Sequence, residues 1–523
     1  MTDDPSTQDP APAGSRRAAT AGRVAPALVI AWVDGAPELD GALLLPDDTP
    51  QVFGRGGGDP GEARLSPIRQ VPGQNLALGA LDPVRLPWLS RRQLRIQRLG
   101  PRLLFENLGR SALRLIPRGV RSDAAPLPTS GFVASVGDLV VVGDRLVFLV
   151  VERPHVLPPA PSWTLPLDAL GHPDAFGLVG ESQAAWTLRE EIAFAARQRG
   201  HVLVHGPSGS GKERVAAAIH RLSARGNRAW VARNAATIPT TLMDVELFGH
   251  VANYPNPGMR ERPGLVGEAD ASSLFLDEIG ELSQDLQAHL LRLMDSGDYQ
   301  RLGDSRPRRS DVRVIAATNR PLTALKSDLR ARFRHVVEVP ALDVRTEDIP
   351  LIARHLLRQA AHEDPALSRF FTARDLTEPG AATRLSVPEP RLDLDLVLDL
   401  LTRPLPLQVR ELDALLWRAL GESARRGVDH IQRPATPATP ADAAAPEPLE
   451  VPETAPREVT RATLEAALVR CNGHLERVWR ELGLKNRYVL RRLLQKHQLR
   501  AGSADPEAPP EPPDPEVVPD DPT

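Results

Sequence analysis

The segment that decides the fold is HVLVHGPSGSGKERVAAAIH, from His201 to His220. Its first residues are an apolar run typical of a buried strand, and its last residues are an alanine-rich run typical of a helix. The stretch GPSGSGK between them fits the pattern G-x-x-x-x-G-K. Glycines let backbone N–H groups approach a polyphosphate closely, and the helix that follows presents its N-terminus to the anion. The segment therefore predicts a phosphate-binding loop in a parallel α/β domain.

The loop and the residue after it are the predicted nucleotide-binding set. Its members are Gly206, Pro207, Ser208, Gly209, Ser210, Gly211, Lys212 and Glu213. Lys212 brings a positive charge to the β- and γ-phosphates. Glu213 occupies the position of the usual Ser or Thr ligand to Mg²⁺, so the metal must use other groups.

Two further apolar strands end in polar residues. The strand Leu274–Leu276 is followed by Asp277 and Glu278. We predict Asp277 as the metal ligand and Glu278 as the group that polarises the attacking water. The strand of residues 312–317 leads to Asn319, which can sense the γ-phosphate. The alternatives are an acidic strand end that faces solvent and an ordinary turn asparagine. The predicted cofactors are ATP and Mg²⁺.

Composition limits the class of protein. The chain has 523 residues with 41% hydrophobic and 25% charged residues, so we expect about three packed domains. Its net charge of −3 excludes a polycation, and any nucleic-acid contact must be local. The single cysteine, Cys471, excludes an internal disulfide. No apolar run reaches the ~18 residues of a membrane span, so we expect a cytoplasmic protein.

The fold class that these patterns predict is multidomain. Short apolar runs between Gly/Pro turns indicate a front all-β sandwich, strand–loop–helix units indicate the α/β core, and two Pro-rich stretches indicate linkers. The predicted divisions are 1–25 disordered, 26–153 β-sandwich, 154–175 linker, 176–340 α/β ATPase core, 341–426 helical lid, 427–458 linker, 459–500 all-α helix-turn-helix and 501–523 acidic disordered tail.

Six motifs in one order make the central region specific. Around GPSGSGKE they are GESQAAWTLREEI (180–192), ELFGH (246–250), LFLDEIGEL (274–282), VRVIAATN (312–319) and VRELDALL (409–416). Over about residues 176–426 this series resembles the central domain of the sigma-54-dependent transcription activators, which are AAA+ P-loop ATPases with a helical lid. The resemblance implies a homo-oligomeric ring, a hexamer, that acts on sigma-54 RNA polymerase. Glu213 is a normal residue of that family.

The resemblance also assigns roles to individual residues. Arg332, in SDLRARF, matches the arginine finger that a neighbouring subunit supplies, and Lys326 stands where a second arginine is usual. Lys lacks the planar bidentate fork of Arg. Arg410 matches the lid arginine that reaches the nucleotide, and Asn234 matches the asparagine that holds Glu278 until ATP is bound.

One segment departs from that family. Its members carry the sequence GAFTGA at the tip of the insertion after ELFGH, where it contacts the sigma factor. Here the tip, residues 253–258, reads NYPNPG, and the Phe and Thr are absent. The sequence PNPG predicts a turn. Either Tyr254 replaces the aromatic contact, or the motor acts on another target.

The front region resembles a forkhead-associated (FHA) domain through QVFGRGG (51–57), WLSRRQLRI (88–96) and FENLGRSALRLI (105–116). The resemblance implies an eleven-strand sandwich that binds a phosphothreonine protein. Arg55, Ser90, Arg91 and Asn107 would form the phosphopeptide-binding set, and Arg forks with a hydroxyl suit a phosphate dianion. Gln93 stands in place of the structural His. The alternative is a domain used only for protein contacts.

The segment 459–500 is locally basic. Ten Lys/Arg against three Glu give 10 − 3 = +7 in a chain that totals −3. Local charge of this kind suits phosphate contacts, and the segment resembles the Fis-type helix-turn-helix. The predicted DNA-binding residues are Lys485, Asn486, Arg487, Arg491 and Arg492. A basic protein-contact module is the alternative. The sequence thus leaves two hypotheses: a DNA-bound ATPase that regulates transcription at an enhancer or promoter, and a phosphothreonine-dependent scaffold.

Overall fold

The structure is a computed structural model that describes most of the chain. The described residues are 24–56, 61–79, 81, 86–120, 131–239, 242–376, 385–435 and 461–470, with the single positions 478, 482 and 494. The chain divides into two compact units, residues 1–435 and 436–523. The first unit contains the front sandwich, the α/β core and the lid.

The described residues of the front sandwich form eleven antiparallel strands. They are β1 (Val24–Val33), β2 (Leu43–Leu44), β3 (Gln51–Phe53), β4 (Ile68–Val71), β5 (Gln74–Ala77), β6 (Leu94–Leu99), β7 (Arg102–Asn107), β8 (Leu113–Ile116), β9 (Gly131–Ala134), β10 (Leu139–Val142) and β11 (Leu146–Pro154). One sheet has the order β5-β4-β2-β1-β11-β10-β8, and the other has the order β3-β6-β7-β9. Leu28, Ile96 and Phe148 lie in the core between the sheets.

The seven-stranded sheet is buried on both faces in its central strands. Along β11, Phe148 and Val150 pack into the sandwich core, while Val147 and Leu149 join a second apolar cluster on the outer face. A sheet with one face in water alternates apolar and polar residues, whereas continuous apolar runs accompany burial on both sides. The outer face is therefore covered by another part of the chain.

Of the predicted linker 154–175, Pro154 is the last residue of β11, and residues 155–175 contain no strand or α-helix. The segment nevertheless packs against the rest of the unit, since Leu157 and Leu170 are both buried.

The α/β core contains a five-stranded parallel sheet. Its strands are β12 (His201–His205), β13 (Trp230–Asn234), β14 (Ser273–Asp277), β17 (Arg313–Thr318) and β18 (Phe333–Glu338), in the order β13-β14-β17-β12-β18. A short ribbon is formed by β15 (Asp298–Tyr299) and β16 (Arg308–Arg309). The core helices are α1 (Gln183–Arg197), α2 (Lys212–Leu222), α3 (Met243–Phe248), α4 (Gly264–Glu268), α5 (Gln284–Ser296) and α6 (Ser327–Arg332).

The lid contains three helices, α7 (Ile349–Glu363), α8 (Leu394–Thr402) and α9 (Gln408–Arg426). The predicted helical lid, 341–426, also contains β structure, because the antiparallel strands β19 (Phe371–Leu376) and β20 (Leu385–Pro390) lie between α7 and α8. Arg354 and Arg358 of α7 both pair with Glu389 of β20, which is a long-range contact that local sequence patterns do not reveal.

The second unit is described mainly by one helix, α10 (Arg461–Arg470). The predicted DNA-binding residues Lys485, Asn486, Arg487, Arg491 and Arg492 lie outside the described residues. Among the helices that are described, none has the length and apolar character needed to cross a membrane.

Candidate functional site

The phosphate-binding loop joins β12 to α2 in the middle of the parallel sheet. The helix begins at Lys212, and its N-cap is Gly211 with φ of 98°. Gly209 has φ of 77°, and a Cβ built on it would lie 2.2 Å from the carbonyl oxygen of Leu407 in the lid. Only glycine fits there, because the lid backbone comes directly against the loop.

Lys212 lies inside the loop with its side chain buried. Its Nζ donates to the carbonyl oxygens of Gly206 and Pro207, both at 3.1 Å. Burial lowers the pKa of Lys212, whereas the negative charges of Glu278 and Asp277 act to raise it. The structure therefore brings the lysine of the loop and the acidic end of β14 into one electrostatic site.

The ends of three neighbouring strands meet beside the loop. The backbone N–H of Glu278 donates to Asp277 Oδ1 at 3.0 Å, and the backbone N–H of Asn319 contacts Glu278 Oε2 at 3.4 Å. Glu278 has φ of 53°, an uncommon conformation for a residue other than glycine. Strained backbone of this kind is concentrated at functional sites.

Asn234 contacts a different residue from the one that its expected role requires. Its Nδ2 lies 3.3 Å from Oδ2 of Asp277, the residue opposite it in the β13–β14 register. The expected partner was Glu278. The amide therefore orients the predicted metal ligand in this structure, because strand pairing places Asn234 beside Asp277 rather than beside the residue after it.

The lid closes one side of the loop. Arg410 Nη1 donates to Ser208 Oγ at 3.2 Å, and the backbone N–H of Val409 donates to the carbonyl oxygen of Gly209 at 3.1 Å. Arg410 thus lies beside the phosphate loop. Leu407 and Val409 of the lid also contact Gly209 of the loop through their backbones, and no sequence pattern predicts these two contacts.

The remaining predicted ATPase residues are at the surface. Arg332, at the end of α6, pairs with Asp295 of its own chain and is 43% exposed. Lys326 donates through Nζ to the carbonyl oxygen of Gln284 at 2.8 Å. Glu213 is exposed in the first turn of α2. Exposed arginine is available to a neighbouring subunit once its own ion pair is exchanged.

The site has groups that suit a nucleotide carrying Mg²⁺. Ser210 Oγ is buried and makes no hydrogen bond, so a phosphate oxygen would satisfy it. Within the described ranges no three His, Cys, Asp or Glu residues are arranged to hold a metal ion by themselves. Mg²⁺ is commonly bound by one or two carboxylates together with substrate phosphates. Asp277 and Glu278 fit that arrangement.

The tip of the insertion, residues 253–258, is a closed turn. Asn253 has φ of 65°, its N–H donates to the carbonyl oxygen of Met259, and its Oδ1 accepts from Gly258 N–H, both at 2.8 Å. The ring of Tyr254 lies against Gly303, where a Cβ would come within 2.6 Å of Tyr254 Cδ2. Tyr254 therefore packs on the neighbouring loop of its own domain and is 37% exposed.

The predicted phosphopeptide loops of the front sandwich are held together by Gln93. The Gln93 side chain is fully buried, donates to Asn107 Oδ1 at 2.9 Å and to Ser111 O at 3.2 Å, and accepts from Ser90 N–H at 3.2 Å. The N–H of Arg55 donates to Ser90 O at 3.2 Å.

Ser90 and Arg91 differ in their surroundings within these loops. Ser90 Oγ accepts from the N–H of Arg110 at 3.1 Å, and Arg91 is exposed at the surface. The structure thus brings Arg55, Ser90, Arg91 and Asn107 to one end of the sandwich.

The order of the parallel strands, the phosphate loop after the interior strand β12 and the lid arginine define an AAA+ nucleotide-binding domain. Residues 178–338 match the family described as the Sigma-54 interaction domain. The transcriptional regulatory protein ZraR of Escherichia coli (strain K12) is 35% identical over 327 residues, which cover 61% of this chain and 68% of ZraR.

The chain is also similar to two further proteins. The Nif-specific regulatory protein of Bradyrhizobium diazoefficiens is 42% identical over 197 residues, covering 36% of this chain and 34% of that protein. The crystal structure of NtrX from Brucella abortus in complex with ADP is 27% identical, covers 62% of this chain and 70% of NtrX, and has a TM-score of 0.43. By its match to ZraR and to the family, the chain belongs to the sigma-54-dependent transcriptional regulators.

Proposed function

We propose that the protein is an ATP-hydrolysing, DNA-binding regulator of transcription whose front sandwich senses a phosphothreonine protein. The observation that carries the proposal is the convergence of Lys212, Asp277, Glu278 and Asn319 at one edge of the parallel sheet, under Arg410 of the lid. The ends of parallel strands are where ligands of such sheets bind.

The chemistry follows from the position of each group. Lys212 and the N-terminus of α2 neutralise the phosphates, and Asp277 holds the Mg²⁺ that the nucleotide brings. The Glu278 carboxylate accepts a hydrogen bond from the attacking water, and Asn319 lies next to it to contact the γ-phosphate. Arg332 of an adjacent subunit in a hexameric ring completes the charge stabilisation.

The target of the motor is tested by co-sedimentation with sigma-54, with and without an ATP transition-state mimic. We expect retention of sigma-54 only with the mimic, through the tip of residues 253–258. The matched control is Lys212→Ala, which should retain none under either condition. Measurable ATP hydrolysis without retention of sigma-54 would assign the motor to a different protein, and absence of hydrolysis would overturn the enzymatic proposal.

The second candidate is a phosphothreonine-dependent scaffold. The observation that favours it is the position of Tyr254, whose ring packs on Gly303 instead of projecting from the tip. The two candidates differ in DNA binding, because a regulator protects a specific sequence and a scaffold does not. Footprinting of genomic fragments with the full chain separates them, with the quintuple variant of Lys485, Asn486, Arg487, Arg491 and Arg492 to Ala as the control.

A further inference from the structure

The outer face of the seven-stranded sheet is covered by the lid. Val397, Leu398 and Leu401 of α8 pack in one buried cluster with Val29 of β1 and Val147 of β11. Apolar area removed from water stabilises such a contact by about 25 cal/mol per Å². The front sandwich is therefore attached to the lid through a continuous apolar surface.

Buried ion pairs reinforce this attachment. Arg354 Nε lies 2.6 Å from Glu389 Oε1, and Arg354 Nη1 lies 3.6 Å from Oδ2 of Asp40 in the sandwich. All three side chains are less than 10% exposed. Arg354 also donates to the carbonyl oxygen of Pro37. Separating the sandwich from the lid would break the contacts of Arg354 with Asp40 and Pro37, whereas its pair with Glu389 lies within the lid.

The sandwich is attached to the α/β core as well. Arg69 Nη2 pairs with Glu181 Oε1 at 2.8 Å, and their side chains are 11% and 8% exposed. Trp186 of α1 packs in a buried cluster with Val71 and Leu157. The sandwich thus makes buried contacts with the two parts of the ATPase that border the nucleotide site.

Between these two attachments lies a cavity of about 1300 Å³. Val151 of the sandwich, Thr187 of the core, Pro207 of the phosphate loop and Leu405 of the lid contribute to its wall. The region behind the loop, where the sandwich, the core and the lid meet, is therefore not filled by side chains.

The lid itself rests on the phosphate loop through Val409 N–H on Gly209 O and Arg410 on Ser208. Entry and exit of a nucleotide require these contacts to open. We propose that the front sandwich is a brace that joins core to lid, keeps Arg410 and Val409 on the loop, and limits the rate of nucleotide exchange. This inference rests on the proposed nucleotide binding and adds a positioning role for Arg69 and Leu398.

The test uses the full chain with Arg69→Met, which removes the core-side ion pair. Stopped-flow measurement with a fluorescent ADP analogue should show association and dissociation rates that both rise by about tenfold, with a nearly unchanged Kd. A purely structural defect would instead weaken binding. Leu398→Ala should act in the same direction from the lid side, and Arg69→Lys should restore most of the wild-type rates.

The matched control is Arg95→Met, which removes the exposed pair with Glu106 on the opposite sheet of the sandwich. Hydrogen exchange at the Val409 amide, without nucleotide, tests the brace separately from nucleotide binding and should be faster in Arg69→Met. Circular dichroism checks that the variants are folded. If folded variants have wild-type rates of nucleotide association and dissociation and a wild-type rate of hydrogen exchange at the Val409 amide, the brace is overturned. If the wild type fails to bind the analogue, the proposed function fails. The brace is then still tested by the rate of hydrogen exchange at the Val409 amide in Arg69→Met compared with wild type.

Discussion

The nucleotide site and the predicted phosphopeptide loops of the front sandwich are held in place in different ways. In the α/β core, Asn234, Asp277 and Asn319 follow adjacent parallel strands, so main-chain pairing fixes their positions. In the sandwich, two loops meet at the side chain of one residue, Gln93, which bonds to Ser90 of its own loop and to Asn107 and Ser111 where β7 leads into β8.

The difference has a consequence for mutation. A side chain placed by the sheet can be changed with loss of its chemistry and little loss of structure. A side chain that joins loops cannot be changed without moving the loops. Substitutions at the nucleotide site should therefore reduce activity without reducing stability, whereas substitution of Gln93 in the front sandwich should reduce ligand binding and stability together.

The largest effect is expected for Glu278→Gln, which preserves shape and removes the carboxylate that polarises water. General-base catalysis contributes about 10²–10⁴-fold, so ATP turnover should fall by about 1000-fold. Binding of ATP and the unfolding temperature should stay close to wild type. Steady-state hydrolysis, nucleotide titration and thermal unfolding measure the three quantities. Unchanged turnover would remove Glu278 from the catalytic role.

A smaller effect is expected for Lys212→Ala. The variant removes a buried positive charge and its contact with the phosphates, which corresponds to about 100-fold weaker ATP binding, or about 3 kcal/mol. The two backbone carbonyls that Lys212 contacts lose their donor. Isothermal titration with ATP, compared with Arg95→Ala as a control that removes an exposed positive charge of the front sandwich, tests this. Equal affinities in the two variants would contradict it.

Local patterns were sufficient to predict the phosphate loop, because strand, glycine-rich turn and helix follow each other without interruption from His201 to His220. The same local order placed Asp277 and Glu278 at a strand end. The partner of Asn234 was not predictable, since it depends on the register between β13 and β14.

The docking of the sandwich on the lid was missed, although the sequence carried a signal for it. The runs LVVV (139–142) and LVFLVV (146–151) show no polar alternation, and such runs indicate strands that are buried on both faces. The hairpin β19–β20 offered no such signal. Glu389 is buried there because Arg354 and Arg358 reach it from α7, which is a contact between distant parts of the chain.

Gln93→Leu should lose stability and peptide binding together. Leu has similar volume and cannot bond to Asn107, Ser111 or Ser90, so three half-buried partners lose a hydrogen bond at a cost of about 2 kcal/mol. Phosphothreonine-peptide affinity should fall about tenfold, since the loops lose their common anchor. Denaturant unfolding and fluorescence polarisation measure both.

Gln97→Leu is the matched control for that change, because Gln97 lies in β6, the strand that begins directly after Gln93, and makes one side-chain bond, to Asp48 O; it should alter neither quantity by much. Arg55→Ala should weaken the peptide and leave stability near wild type. A sandwich that binds the phosphopeptide equally well with and without Arg55 would be a protein-contact module only.

The smallest effect concerns pH and lies at the junction of sandwich and lid. His172 Nε2 is 3.4 Å from Arg358 Nη1. Burial, together with the charges of Arg358 and Arg354, lowers the pKa of His172 to about 4. The folded state therefore keeps the imidazole neutral, while the unfolded chain takes up a proton below pH of about 6.5.

It follows that protonation of the unfolded chain destabilises the fold as pH falls from about 6.5 towards 4, and that the loss levels off below the folded pKa. His172→Asn removes this titration. Between pH of about 6.5 and 4, the free energy of unfolding should therefore fall by about 1 kcal/mol less in the variant than in the wild type. Both curves are referred to about pH 8, where the imidazole is neutral in the folded and in the unfolded state. Denaturant unfolding at half-unit intervals gives both curves. Parallel curves for variant and wild type would mean that His172 is protonated in the folded protein, and the junction would then tolerate a positive charge beside Arg358.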